Sequence, residues 1–175
     1  PSVRVIYARN VLNAPLWVAI EQHLFEKHHV DVITQTAEQA NLMATSLAAG
    51  EADISTGVSL LPMANLECQS PGRIRIVIHS KLTSTAPFDR IVAKKDSPIT
   101  TLKDLAGKKV ATYPGTTAKA ILSFYLGQQG IDASTVQFVA MPGSAHANAL
   151  TAGAVDAAFG YEPAPTILLQ SGLCK

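Results

Sequence analysis

The sequence predicts an α/β fold with mainly parallel sheets, organised as two lobes. Two observations carry this: apolar, strand-like runs alternate with single helices along nearly the whole chain, and one helix–glycine–strand unit occurs twice. Strands joined through single helices return in the same direction, which implies parallel pairing with helices on both faces of the sheet.

Val3, Val5 and Ile6 open a short apolar strand. Leu16, Trp17, Ile20 and Leu24 follow Pro15 at helical spacing and predict one helix over residues 14–25. Residues 30–34 read as a second strand, 39–49 as a helix stopped by Gly50, and 52–55 as a third strand. A small helix is expected after Gly57. Residues 74–79, with Ile74, Ile76, Val77 and Ile78, read as a strong strand.

Residues 81–89 are polar, rich in Thr and Ser and interrupted by Pro87, and read as the connection between lobes 1–84 and 85–175. The alternation then resumes. Strands are expected at 90–94, 109–113, 136–141 and 156–160, a helical turn at 102–105, and helices at 116–129 and 145–152. Leu47-Ala48-Ala49-Gly50-Glu51-Ala52-Asp53-Ile54-Ser55 matches Leu150-Thr151-Ala152-Gly153-Ala154-Val155-Asp156-Ala157-Ala158 as helix end, glycine cap, aspartate and strand. With a polar connection between the copies, two similar lobes follow.

Composition narrows the function. Charged residues are 15% of the 175 and hydrophobic ones 47%, which excludes a disordered chain. Lys and Arg number 14 against 13 Asp and Glu, so no global field gathers a polyanion and nucleic acid is not expected as a partner. No uninterrupted apolar run reaches the roughly 18 residues of a bilayer-spanning helix. Pro1 stands directly before the first strand, as in a chain without a signal peptide or one in mature form. Cys68 and Cys174 mark neither a zinc ribbon nor a disulfide framework, and His23, His28 and His29 are poorly spaced for a metal, so no metal or other cofactor is expected. The nucleophile elbow, the phosphate loop and the dinucleotide fingerprint are all absent, which favours binding over catalysis and predicts a protein that is not an enzyme.

Parallel α/β lobes bind ligands beyond the carboxyl ends of their strands, so the strand-to-helix loops are the candidate site. Tyr113, Pro114, Gly115, Thr116 and Thr117 join a strand to a long helix and offer a flexible glycine, two hydroxyls and free N–H groups at the positive end of a helix dipole. Their counterparts in the first lobe supply Arg9, Asn10 and Asn13, then Gln39, then Gly57 and Ser59. Ser80, beside His79 at the end of the strand expected over 74–79, completes that edge. Tyr161 and Glu162 fall at the carboxyl end of the last strand, where the ring is expected to pack on an apolar part of the ligand and the acid to select an amine or other donor.

These residues also resemble a known family. Ala14-Pro15-Leu16-Trp17-Val18-Ala19-Ile20-Glu21, Leu24-Phe25-Glu26-Lys27, Val30-Asp31-Val32, Leu102-Lys103-Asp104-Leu105-Ala106-Gly107-Lys108-Lys109-Val110-Ala111, Pro114-Gly115-Thr116-Thr117, Gly153-Ala154-Val155-Asp156-Ala157 and Glu162-Pro163 are similar, in order, to ABC-transporter solute-binding proteins of the nitrate, sulfonate, taurine and thiamine-precursor group. The resemblance implies a type II periplasmic-binding-protein-like fold, two lobes hinged around a cleft. It implies capture of a small polar or anionic solute (a sulfonate, taurine-like, nitrate-like or pyrimidine compound) and delivery to a membrane permease. The expected location is periplasmic or extracellular. Position 161 is often Trp in that group and is Tyr here. Members also usually run well beyond 175 residues, so the resemblance implies an incomplete chain. Enzymes of pyrimidine or menaquinone precursor synthesis on the same scaffold, and ligand-sensing domains of transcription regulators, are the alternatives it leaves.

Overall fold

Residues 1–79, 83 and 87–175 are described by the computed structural model, in which the chain divides into two units, Pro1–Ser80 and Lys81–Lys175. In the first unit β1 (Ser2–Tyr7) lies between β2 (Asp31–Thr36) and β3 (Ile54–Thr56) and runs parallel to both. Ile6 of β1 packs with Met43 and Ala44 of α3 (Ala40–Ala48) and with Met63 of α4 (Leu60–Gln69), the principal core of this unit. Ser59 caps α4, its hydroxyl accepting from the N–H of Leu61.

Two expectations fail here, each for a physical reason. The helix predicted over 14–25 is two pieces, α1 (Ala14–Glu21) and α2 (Leu24–Lys27), because His23 adopts the left-handed conformation at φ 55° and ends the run. Residues 74–79 form no strand: Val77 and Ile78 are 90% and 89% exposed, and among the described residues no strand lies alongside to complete a ladder. An apolar run becomes a strand only when a neighbour takes up its N–H and C=O groups.

In the second unit the strand order is β4-β7-β5-β6, formed by β4 (Asp89–Ala93), β5 (Lys109–Thr112), β6 (Gln137–Ala140) and β7 (Ala157–Tyr161). β5 is parallel to β6 and to β7, but β4 runs antiparallel to β7, the one departure from the parallel pattern expected. Side chains alternate across the sheet with the period of two. Val110, Ala157 and Phe159 meet Leu122 and Leu126 of α5 (Thr117–Gln128) on one face. Ala111, Ala158 and Val92 meet Leu150 of α6 (Gly143–Thr151) on the other. The helix α7 (Ala164–Gln170), which periodicity did not predict, follows β7. The final residues return beside β4, where the Lys175 N–H donates to Ala93 C=O at 2.9 Å and the Lys175 C=O accepts the Ala93 N–H at 3.0 Å.

The sequence echo is a structural one. Gly50 and Gly153 hold φ of 72° and 73°, the left-handed cap that only glycine takes without strain. Asp53 then accepts the N–H of Arg4 at 2.8 Å, and Asp156 accepts that of Lys109 at the same distance, so each aspartate ties the start of its strand to the neighbouring one.

Candidate functional site

All three strands of the first unit are parallel, so the loops following Tyr7, Thr36 and Thr56 share one edge. Two of those loops are stitched together. Asn10 accepts the Leu12 N–H through Oδ1 and donates from Nδ2 to Gly57 C=O at 2.9 Å. Asn13 is 1% exposed; its Nδ2 donates to Ala8 C=O and its enclosed Oδ1 has no partner among the described residues. Gly57, at φ 69°, is the turn this stitch requires: a Cβ there would stand 2.0 Å from Asn13 Nδ2. The structure thus brings Asn10, Asn13 and Gly57 together, with the amide groups turned onto the backbone and buried. They shape the edge and do not present donors to solvent.

Arg9 and Gln39 are exposed on the same edge, Gln39 at the position before α3 without a capping bond. Ser59 is half-buried with its hydroxyl on α4. Ser80 lies outside the described residues.

The corresponding edge of the second unit is aromatic. Phe88 stacks on Tyr161 with ring centroids 5.0 Å apart and planes at 10°, and Tyr161 stacks on Tyr113 at 4.6 Å and 8°. The ring of His146 leans against Tyr113 at 5.1 Å. Gly143 makes room for this ladder, since a Cβ there would come within 2.6 Å of the Tyr113 hydroxyl. Tyr161, the ring expected to pack on a ligand, thus stacks with both Phe88 and Tyr113. Burial, with the charge of Asp89 adding to it, pushes the Tyr161 phenol well above its ordinary range, so it stays protonated. His146, 2% exposed with Nε2 3.3 Å from Met141 C=O, has its pKa lowered by burial and is neutral near pH 7.

Beside the ladder, Gly115 at φ 100° turns the chain into α5. Thr116 stands at the cap position with no capping bond from its side chain, and Gly115 and Thr116 are exposed. The first N–H groups of α5 have no intrahelical partner and face the same edge. Glu162, the acid expected to select an amine, has Oε1 2.7 Å from Arg90 Nε, an ion pair without hydrogen-bond geometry, while Oε2 accepts the Thr166 N–H at 3.3 Å.

Sequence reasoning missed Phe88 and Arg90. Both precede or begin a strand, the end that parallel pairing places far from a site; only the antiparallel direction of β4 brings them to the carboxyl edge of β7. Among the described residues no group of His, Cys, Asp and Glu is arranged to hold a metal ion, and no helix is long and apolar enough to cross a membrane.

Comparison with known proteins is consistent over most of the chain. A family model described as NMT1/THI5 like matches residues 10–169. A protein of Brucella abortus (strain 2308) described as a binding protein is 29% identical over 144 residues, covering 81% of this chain and 41% of its own. The alkanesulfonate-binding protein SsuA from Xanthomonas axonopodis pv. citri, bound to MOPS, superposes with a TM-score of 0.79 at 21% identity, over 99% of this chain and 59% of that one. The periplasmic aliphatic sulphonate binding protein SsuA from Escherichia coli gives 0.75 at 20%, over 99% and 58%. The fold is the α/β fold of the type II periplasmic-binding class, and the chain spans less than half the length of the curated relative and little more than half that of the solved ones.

Proposed function

The chain belongs to the NMT1/THI5-like family, and on that premise we propose that it is the solute-recognising part of a binding protein serving an ABC-type importer. Its ligand is a small organic solute with a polar or anionic head, and its partner is the membrane permease that receives the solute, at the outer side of the membrane or in the periplasm. The observation that carries the reading is the carboxyl edge of the second unit. There a stack of three rings stands near Gly115 and Thr116, both exposed, at the N-terminus of α5, whose first N–H groups have no intrahelical partner. Rings exclude water from one side of a bound molecule, and donors at a helix start favour a negative or strongly polar group. Neither feature alone binds selectively; together they suit a molecule with an apolar body and an oxygen-rich end.

The test is a thermal-shift screen of the full chain against sulfonates, taurine, nitrate and pyrimidines, followed by calorimetry on the hits and mass spectrometry of the recovered solute. A hit recovered unchanged supports the binding role. Loss of one charge-assisted hydrogen bond in Thr116→Ala or Thr117→Ala should weaken that hit by about ten- to a hundredfold. A solute recovered chemically altered, or no hit in any class, would overturn the reading.

A further inference from the structure

Lysines gather at the end of the second unit's sheet that lies opposite the rings. Ala93, Ala157 and Val110 pair in register across β4, β7 and β5, so Lys94, Asp156 and Lys109, the next residue outward on each, meet there. Lys108 precedes Lys109, and its C=O accepts the Gln137 N–H of β6 at 2.9 Å. Lys95 donates its N–H to Leu173 C=O at 2.9 Å, and Lys175 reaches the same turn, its Nζ donating to Ser97 C=O. Lys103 stands on the helical turn Leu102–Leu105 that leads into β5. Lys95, Lys103, Lys109 and Lys175 are exposed, Lys94 and Lys108 half-buried, and among the described residues none of the six is in an ion pair.

Four acids accompany these six lysines, Asp96, Asp104, Asp132 and Asp156. Three of the four carboxylates are turned back onto the main chain. Asp104 accepts the N–H groups of Thr100 and Thr101, Asp132 that of Ser134 and Asp156 that of Lys109, each at 2.8 Å. A carboxylate so held ends close to the backbone, whereas an ammonium on a four-carbon stem extends past it, so the outermost charge at this end is positive. An apolar side chain stands among the lysines: Leu173, bonded through its C=O to Lys95, is 58% exposed.

Independently of the solute reading, we propose that this end of the second unit is a membrane-facing surface whose partner is a bilayer carrying anionic phospholipid. The lysines supply Coulomb attraction to the phosphates and Leu173 enters the headgroup layer. Separate ammonium groups strung along a sheet end suit a laterally continuous field of phosphates, where a single bound anion would call for a fork of donors. Tyr161 and its stacked rings lie at the far end of β7, so a bilayer at the lysine end leaves the ring edge of this unit open to water.

Sedimentation of the full chain with phosphatidylcholine vesicles, with and without about a third phosphatidylglycerol, tests this. The parent chain should bind the anionic vesicles at about 0.05 M NaCl, ignore the neutral ones, and be released at about 0.5 M. The triple change Lys94→Gln, Lys95→Gln and Lys109→Gln should weaken partitioning about ten- to a hundredfold, as about fivefold per lysine near an anionic surface implies. It should leave the melting temperature unchanged, because none of the three side chains has an ionic partner to lose. Lys27→Gln, Arg73→Gln and Arg75→Gln together remove the same charge from the first unit and should leave partitioning within about twofold. Leu173→Ser should weaken binding severalfold with the salt dependence kept. A parent chain that ignores anionic vesicles, or equal losses in the two triple variants, would overturn the proposal. Capture by polyglutamate without capture by vesicles would overturn it too and assign this end to an acidic protein. None of these outcomes depends on whether a solute binds at the ring edge.

Discussion

β7 in the second unit has the burial pattern of a strand covered on both faces, with Ala157, Ala158, Phe159 and Gly160 all buried, whereas no residue of β2 in the first unit is buried. The contrast extends to helices. α5 buries Ala118, Leu122 and Leu126, but α1, which is richer in apolar residues, buries none, and its Trp17, Val18 and Ile20 face outward. Composition therefore does not set burial. A strand or helix buries its apolar face only where a second layer lies against it, and the second unit supplies helices on both faces of its sheet while the first is filled on the α3 and α4 face.

The sharpest way to break this comparison is to truncate matched aromatics. Phe159→Ala should cost about 3–5 kcal/mol, because it opens a cavity in a closed core, while Trp17→Ala, partly solvated and touching Tyr7 edge-on, should cost less than about 1 kcal/mol. Equal losses in denaturant titrations would mean that the outward face of α1 is buried in solution.

Glycines give the next largest effect. Gly57→Ala should destabilise by about 1–3 kcal/mol, since positive φ and the close amide of Asn13 act together. Gly50→Ala, with the same sign of φ but nothing within 4 Å, should cost only about 1 kcal/mol. The difference between the two, read from Tm, isolates the contribution of the asparagine stitch to the first unit.

Acid separates the units by their carboxylates. Hydrogen bonding from Arg4 holds Asp53 at about 2, and the Thr100 and Thr101 N–H groups hold Asp104 at about 2, both below the ordinary 3.8. A carboxylate lowered on folding stabilises the native state above its unfolded pKa and loses that contribution as pH falls toward the folded one. Stability should therefore drop between about pH 4 and pH 2, and Asp53→Asn should remove part of that dependence in the first unit while Asp104→Asn does so in the second. Fluorescence of Trp17, in the first unit, and circular dichroism across pH 5 to 2 would show it; a flat profile in the parent chain would break the prediction.

The smallest effect is expected in residues 76–78. Ile78→Lys should change stability by no more than about 0.5 kcal/mol, because the side chain is already solvated, but should reduce light scattering at high concentration. A large stability loss would show that these residues pack in solution.

The residues themselves determined the α/β class, the paired Gly–Asp turns and the loops at which strands hand over to helices, because these depend on local periodicity and on conformations that glycine, proline and aspartate favour within a few positions. The position of Thr116 at the start of α5 was legible for that reason. Tertiary structure decided the rest. Asn10 and Asn13 could be named as polar loop residues, but that the Asn10 amide turns onto Gly57 depends on two loops meeting from separate strands. The hydrophobicity of residues 74–79 announced a strand, yet a ladder requires a neighbour that the run does not contain. Arg90 and Glu162 are far apart in sequence and look like an ordinary strand residue and a free acid. Only the antiparallel direction of β4 sets them 2.7 Å apart at the edge where the rings stack, because strand direction is fixed by long-range pairing and leaves no trace in the period of the strand itself.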